Sequence, residues 1–337
     1  MNPTGRAASP SWRAVAWRRL LTAIRRGAGS APYLFVLALL AMAAPVPAAE
    51  MSEPAPLAAK ALLLDIAAAG DRLVAVGDHG DIVVSTDQGR SWRQSLAPTQ
   101  ALLTGVCFVD GRQGWAVGHR GVILRTTDGG DTWERQDDSR HDADVYLDVL
   151  FLDATRGFVV GAYGKFLVTA DGGRTWTPGH PIADEVHYNR ITAGPGGTLY
   201  LSGESGTTLV SRDAGKTWTQ SEMPYDGSLF GVLPLGEGRL LTYGLRGHVL
   251  RSDDRGASWS EVPTGSTVLI MAGRRLADGR TVLAGQGGNF FVSRDGGRSF
   301  TNRRPAEIET SIADLIGTAD GAVVAVGEAG AVRLNLP

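Results

Sequence analysis

The sequence has very little of the chemistry that metal and cofactor sites need. Cys107 is the only cysteine in 337 residues, so no intrachain disulfide can form. The six histidines are scattered, without the His-x-x-x-His or Cys/His spacing typical of zinc sites. The glycine-rich stretch 285–288 is not followed by a predicted helix, which argues against a phosphate-binding loop. We therefore predict no metal and no cofactor, and interpret Cys107 as a small buried hydrophobe.

Acidic residues are absent from the first 49 positions, where six arginines precede an apolar run from Tyr33 to Ala44. Small residues and prolines follow at 45–49. A basic region, a short apolar region and a small-residue site indicate a cleaved export signal, which we assign to residues 1–48. An apolar run of about 12 residues is too short to span a bilayer, so no membrane insertion is expected after cleavage. The pattern does not distinguish the general from the twin-arginine export route.

Positive charge is scarce in the remaining chain. The whole sequence has 33 Lys and Arg against 35 Asp and Glu, and six of the arginines belong to the export signal. Residues 49–337 therefore carry a net charge of −8. A net acidic domain is a poor general binder of nucleic acid, and no nucleic-acid partner is predicted.

An eight-residue motif, Ser/Thr-x-Asp-x-Gly-x-Ser/Thr-Trp, recurs along the chain and first appears at 85–92. Its aspartates are separated by 41, 43, 42, 41 and 41 residues. In the motif, the carboxylate can accept backbone N–H groups within a hairpin, the glycine allows positive φ, and the aromatic ring can pack between repeats. We predict a structural role for all six pairs, which are Asp87 with Trp92, Asp128 with Trp133, Asp171 with Trp176, Asp213 with Trp218, Asp254 with Trp259, and Asp295 with Phe300.

A second motif, Gly-x-x-Gly, occurs seven times, from Gly77/Gly80 to Gly327/Gly330, and each copy precedes a short apolar run. Each unit reads as four short strands separated by turn signals, which is typical of propeller blades. The sequence thus predicts an all-β fold: one seven-bladed β-propeller over 49–337, built of four-stranded antiparallel blades, with aspartate hairpins in six of them. The seventh unit reaches the end of the chain after three strands. We expect residues near Met51 to Lys60 to supply its fourth strand, at an edge because of Pro54 and Pro56.

The aspartate motif resembles the Asp-box, or bacterial neuraminidase repeat. Regular Asp-boxes preceded by Gly-x-x-Gly, over about residues 62–336, resemble the photosystem II assembly and stability factor family. The resemblance implies a seven-bladed propeller that helps to assemble a membrane protein complex without catalysis. Relatives also occur in non-photosynthetic bacteria, where they resemble partners of resistance-nodulation-division exporters, and we expect this chain to be such a member. It further implies a periplasmic location in a Gram-negative bacterium.

Asp-boxes also occur in sialidases, so an exported glycan hydrolase or lectin is the alternative. The Arg-Ile-Pro sequence typical of sialidases is absent, and its nearest analogue, 189–192, lacks the proline. A retaining glycosidase needs two carboxylates about 5–5.5 Å apart. Asp65, Asp148 and Asp314 begin innermost strands of different blades, and the sequence leaves open whether they converge. We expect a binding protein and not an enzyme.

Propeller geometry places the Gly-x-x-Gly turns and the entries to the innermost strands on one face, opposite the Asp-box hairpins. Arginine and aromatic residues are enriched at interface hot spots. We predict that this face binds the partner, a membrane protein complex or an exporter subunit, and that the protein alone is monomeric. Alternatively, the three aromatic strand-entry residues only fill the central channel. The candidate residues are His79, Arg120, Tyr163 and Arg246 from the turns, and Tyr146, Tyr188, Arg190 and Phe230 from the strand entries.

Overall fold

Short runs of β-branched and aliphatic residues, interrupted by glycine, determine the local structure of this chain. The computed structural model describes residues 50–136, 143–182 and 184–336. The predicted export signal lies outside these residues. Within them, every helix is a three-residue 3-10 turn, and none has the length and apolar character needed to cross a membrane.

The strands are numbered β1 to β27 in chain order. Blade 1 contains β1 (Leu63–Ala69), β2 (Arg72–Gly77), β3 (Ile82–Ser85) and β4 (Arg93–Ser95). Blade 2 contains β5 (Leu103–Phe108), β6 (Gly114–Gly118), β7 (Ile123–Thr126) and β8 (Glu134–Arg135). Blade 3 contains β9 (Tyr146–Phe151), β10 (Gly157–Gly161), β11 (Phe166–Thr169) and β12 (Thr177–Pro178). Blade 4 contains β13 (Tyr188–Ala193), β14 (Leu199–Gly203), β15 (Thr208–Ser211) and β16 (Thr219–Gln220).

The remaining three blades follow the same order. Blade 5 contains β17 (Leu229–Gly236), β18 (Arg239–Gly244), β19 (Val249–Ser252) and β20 (Ser260–Glu261). Blade 6 contains β21 (Ile270–Arg275), β22 (Thr281–Gly285), β23 (Phe290–Ser293) and β24 (Thr301–Arg303). Blade 7 contains β25 (Ile312–Gly317), β26 (Val323–Gly327) and β27 (Gly330–Leu334).

Each blade is an antiparallel meander whose strands pair in chain order. The first strand of each blade contacts the first strand of the next, and β25 of blade 7 contacts β1 of blade 1. The seven sheets therefore form a closed ring with their first strands innermost. This confirms the predicted seven-bladed propeller and its Asp-box hairpins in six blades.

The segment before β1 differs from the prediction. It does not pair with β27, and blade 7 has three strands among the described residues. The N–H of Ser52 donates to the carbonyl of Ala97 at 2.8 Å, and that of Ala55 donates to the side chain of Gln94, so the segment is fastened to blade 1. Pro54 and Pro56 lack the N–H groups that a ladder requires, which explains the missing strand.

The hydrophobic core consists of seven separate clusters, one at each interface between neighbouring blades. In each of the six blades that have an Asp-box, the aromatic ring of the box joins the cluster shared with the preceding blade. Trp133 of blade 2, for example, packs with Val74 and Val84 of blade 1. Trp92 of blade 1 packs with the cluster that includes Val324 of blade 7, so the same contact closes the ring.

The Asp-box carboxylate organises its hairpin through several hydrogen bonds. In the first copy, Oδ1 of Asp87 accepts the N–H groups of Arg90 and Ser91 at 3.0 and 2.9 Å. Oδ2 accepts the Ser91 hydroxyl at 2.5 Å, and the Ser85 hydroxyl donates to Oδ1 at 2.8 Å. The Ser85 oxygen in turn accepts the N–H of Gly89. In the other five copies the hydroxyl two residues before the aspartate donates to Oδ1, and the N–H and hydroxyl four residues after it donate to Oδ1 and Oδ2.

These bonds favour the ionised carboxylate. The hydroxyl four residues further on, together with the backbone N–H of the same residue, lowers the pKa of Asp87, Asp171 and Asp254 to about 2. A carboxyl whose pKa is lowered on folding stabilises the fold fully above its unfolded pKa, near 4, and loses this effect as the pH falls through the folded pKa. The Asp-boxes therefore contribute fully at neutral pH.

Asp128→Ala should lower the free energy of unfolding by about 2 kcal/mol, because it removes an ionised acceptor and leaves hairpin N–H groups without their partner. Urea unfolding followed by tryptophan fluorescence measures this change. Glu307→Ala, at an exposed position, is the control and should change stability by less than about 0.5 kcal/mol. Equal stability of the two variants would contradict the structural role.

Candidate functional site

The Gly-x-x-Gly turns carry the residues predicted to bind a partner, and their backbone geometry is unusual. Nine described non-glycine residues have positive φ, and five of them are the third residue of such a turn. We call these five the turn tips; they are His79, Arg120, Tyr163, Ser205 and Arg246. Each lies in a different blade, from blade 1 to blade 5, and each is exposed. The corresponding residue of blade 6 is Gly287, with φ of 65°.

Aromatic residues surround two of the turn tips. The Tyr163 side chain is 71% exposed, and its ring meets His187 edge-on with centroids 4.7 Å apart. Near Arg246, the ring of Tyr225 stacks on His248 with centroids 4.0 Å apart. Each pair gives the face a supported, partly solvated ring, which is the kind of group that anchors protein interfaces.

A cleft of about 950 Å³ opens beside Tyr163 on blade 3. Its lining combines rings and charges, including Trp176, Lys165 and Glu185. The Lys165 ammonium lies 2.8 Å from the Asp144 carboxylate, which fixes one wall. The cleft extends the face that carries the turn tips into a concave surface.

Three predicted members of the binding face lie elsewhere. Tyr146 and Tyr188 are 2% and 0% exposed and belong to the clusters between blades 2 and 3 and between blades 3 and 4. Phe230 is half-buried against the cluster between blades 5 and 6. Rings at strand entries are drawn into these clusters because burial removes a large apolar area from water. The prediction of a surface position was therefore wrong for the two tyrosines, and the rings fill gaps between blades.

Arg190, the remaining candidate, lies in the central channel and binds acids from three other blades. Its Nη2 is 2.7 Å from Oδ1 of Asp65 in blade 1 and 3.4 Å from Oδ2 of Asp314 in blade 7. Its Nε is 3.8 Å from Oδ2 of Asp148 in blade 3. Arg274 of blade 6 approaches Asp314 at 3.5 Å. We call these five residues the channel cluster.

The carboxylates of the cluster also join neighbouring blades. Oδ2 of Asp65 accepts the N–H of Val106 in blade 2 at 2.7 Å, and Oδ2 of Asp148 accepts the N–H of Ile191 in blade 4 at 2.9 Å. Arg274 donates from Nε to the carbonyl of Leu315 in blade 7. The cluster thus links six of the seven blades near the axis of the ring.

Burial and charge move the pKa values of the three acids in different directions. Burial raises the pKa of Asp65 well above its usual range against the opposing effect of Arg190, and it raises the pKa of Asp148 to about 6. Burial acts in the same direction on Asp314, but Arg190 and Arg274 outweigh it and hold its pKa below the usual value. The three carboxylates together raise the pKa of the Arg190 guanidinium.

The acids of the cluster and Arg190 occupy equivalent positions in their blades. The sequence analysis named all four residues but did not recognise that their positions are equivalent. Each innermost strand has a β-bulge at the same place, followed by a residue that belongs to the channel cluster in four of the seven blades. In chain order these residues are Asp65, Gly105, Asp148, Arg190, Gly231, Ala272 and Asp314. Aligning the repeats on Gly-x-x-Gly would have brought Asp148, Arg190 and Asp314 into a single column, 13 residues before the first glycine, with Asp65 one position away. The Tyr243 side chain packs against two glycines, Gly231 and Gly273. A Cβ on either glycine would lie within 2.5 Å of the Tyr243 ring or hydroxyl.

The channel acids do converge, which was open from the sequence, but their setting does not resemble a hydrolase site. The side chains of Asp65, Asp148 and Asp314 are only 5%, 9% and 1% exposed, and all three face a guanidinium. A glycosidase pair must flank a sugar, whereas these carboxylates are buried against arginines. Separately, the described residues contain no group of three or more His, Cys, Asp or Glu side chains placed to hold a metal ion.

Comparison with known proteins places the chain in a family. The model of the photosynthesis system II assembly factor YCF48 matches residues 84–176 and 141–335. This chain belongs to the YCF48 family. Two solved YCF48 structures have the same fold. One is YCF48 bound to D1 peptide (TM-score 0.69, 18% identity, covering 86% of this chain and 95% of that one). The other is YCF48 from Cyanidioschyzon merolae (TM-score 0.66, 18% identity, covering 85% and 98%).

Among curated proteins, this chain is similar to the chloroplastic photosystem II stability/assembly factor HCF136 of Cyanidioschyzon merolae. It is 40% identical over 78 residues, which are 21% of this chain and 18% of that protein. The matched region thus spans less than a fifth of the relative's length. The resemblance stated from Asp-boxes and Gly-x-x-Gly turns is confirmed.

Arg190→Gln should lower the free energy of unfolding by about 3–5 kcal/mol at pH 7, because it leaves buried carboxylates without their partner. The loss should be smaller at pH 5, because Asp65 and Asp148 of the variant, which have lost the Arg190 charge that lowers their pKa values, are then protonated and uncharged. Urea unfolding at the two pH values measures both effects. Arg120→Gln, on an exposed turn tip, is the control and should be nearly neutral. A loss independent of pH would show that the charge of Arg190 is not what matters.

Proposed function

We propose that this protein is an exported, non-catalytic scaffold that binds a peptide segment of a membrane protein complex and assists the assembly or operation of that complex. Membership of the YCF48 family supports this proposal. So does the solved YCF48 bound to D1 peptide, since that chain shares the fold over 95% of its length. The binding surface in the proposal is the face that carries the turn tips.

The geometry of the turn tips is the observation that carries the proposal. A non-glycine residue in the left-handed region costs roughly 1–2 kcal/mol relative to an ordinary conformation. Glycine occupies the equivalent position in blade 6, so the fold itself does not require a side chain there. Exposed side chains retained at this cost in five successive blades favour a role in binding.

The chemistry of this face fits a peptide. Arg120 and Arg246 offer guanidinium groups for carboxylates or peptide carbonyls, and Tyr163 offers an exposed ring beside the cleft. Rigid turns hold these groups in place before binding, which reduces the entropy lost on association. The partner we propose is an extended segment with acidic and aromatic side chains.

The proposal extends to the cellular setting. The N-terminal pattern supports export, and the family resemblance supports the periplasm of a Gram-negative bacterium, with a subunit of a resistance-nodulation-division exporter as one form of the partner complex. In this proposal the protein acts as a monomer, and the complex supplies the binding partner.

The double variant Arg120→Glu/Arg246→Glu should reduce recovery of the partner complex at least tenfold when the mature protein is used to capture partners from detergent-solubilised membranes. Quantitative mass spectrometry of the captured proteins measures the recovery. The loss is expected because glutamates replace the two guanidinium donors and would repel the acidic side chains of the proposed partner.

Arg212→Glu/Arg298→Glu is the matched control, because it reverses the same number of charges at exposed positions on the Asp-box face. It should retain capture. Loss of capture in this control alone would move the binding site to the Asp-box face, and capture of glycans without a membrane protein would replace the scaffold proposal by a lectin.

A further inference from the structure

The channel cluster has more negative than positive groups, and the proposed scaffold function does not explain this imbalance of charge. Three carboxylates, those of Asp65, Asp148 and Asp314, face two guanidiniums, those of Arg190 and Arg274. With all five groups ionised the cluster has a net charge of −1, and its three carboxylates are buried while Arg190 and Arg274 are partly exposed. An uncompensated buried charge is costly, and a carboxyl in such a site is neutralised by protonation.

The imbalance lies where the first and last blades meet. Asp65 belongs to β1 and Asp314 to β25, the two innermost strands that close the ring, and both carboxylates contact the same Nη2 atom of Arg190. Arg190 comes from blade 4, so its side chain crosses the channel to reach this junction. As at every junction among the described residues, no β-sheet is shared here, and the turn Ala58–Lys60 contacts both β27 of blade 7 and β3 of blade 1.

From this geometry we infer that the channel cluster holds one proton when the ring is closed, so that closure between blade 7 and blade 1 weakens as the pH rises from 5 to 8. Two carboxylates and two guanidiniums then balance. The proton resides on Asp65, whose pKa is raised chiefly by burial. The other groups facing the cluster are the Tyr243 hydroxyl and the Cys107 thiol, and burial raises the pKa of both, so neither supplies a compensating charge in this range.

The sign of the effect follows from linkage. An aspartate in the unfolded chain has released its proton by pH 5, whereas the folded cluster retains one. Unfolding therefore releases a proton, and the unfolding equilibrium constant rises with pH by up to tenfold per pH unit until the folded cluster is itself deprotonated. The Asp-box carboxyls ionise below this range and do not contribute to the slope.

The first test observes the proton directly. Carboxyl ¹³C chemical shifts of aspartate-labelled mature protein, recorded from pH 4 to 9, should include an aspartate that titrates well above the usual aspartate range and that is missing from the Asp65→Asn spectrum. Titration of Asp65 in the usual aspartate range would overturn the inference.

The second test locates the effect at the junction. Amide hydrogen exchange, corrected for the intrinsic pH dependence, should show protection in β1 and β25 falling at least fivefold from pH 6 to 8. The junction of blades 4 and 5 is the internal control, because Asn189 there donates to the carbonyl of Leu229 at 2.8 Å and neither group titrates. Equal changes at both junctions would assign the pH dependence to the surface histidines or to the whole fold and would overturn the inference.

Discussion

The packing of one blade against the next is the interaction on which this structure depends. Each blade is a small sheet with two apolar faces, and a single sheet of this size cannot bury both. Seven interfaces, each with its own cluster of buried side chains, replace the one core of an ordinary domain. Because the last face must meet the first, closure of the ring is a condition for the burial of all the others.

The Asp-box serves this packing as much as it serves its own hairpin. Its glycine needs positive φ and also lies against the preceding blade, so that a Cβ on Gly215 would lie 2.6 Å from the Phe158 ring. Trp115 of blade 2 donates from Nε1 to the carbonyl of Gly172 in the box of blade 3 at 3.0 Å. The recurring motif is therefore a joint between blades, which explains why it is repeated with the period of the blade.

The closing junction keeps the Asp-box ring contact of the other interfaces and adds ion pairs at the rim and at the axis. At the rim, Arg90 of blade 1 and Arg333 of blade 7 both bind the Asp320 carboxylate, at 2.5 and 2.6 Å. At the axis, Arg190 reaches from the opposite side of the ring to Asp65 and Asp314. The rim pairs are solvated and of low strength, whereas the axial pairs are buried and sensitive to any change of charge. The proposed binding face is independent of both, because its turn tips project from the ends of the strands.

The sequence by itself determined the architecture, because spacing along the chain is enough to specify a repeat. Asp-boxes about 42 residues apart and seven Gly-x-x-Gly turns predicted the blades, the turns and the aromatic rings between blades. It also placed His79, Arg120, Tyr163 and Arg246 on exposed turns of one face. Only the tertiary structure decided that Tyr146 and Tyr188 are buried, that residues 52–55 bind blade 1, and that Asp65, Asp148 and Asp314 meet at Arg190. These contacts join positions up to 125 residues apart. They form only because the closed ring brings the innermost strands close together at its axis, and local sequence does not encode that distance.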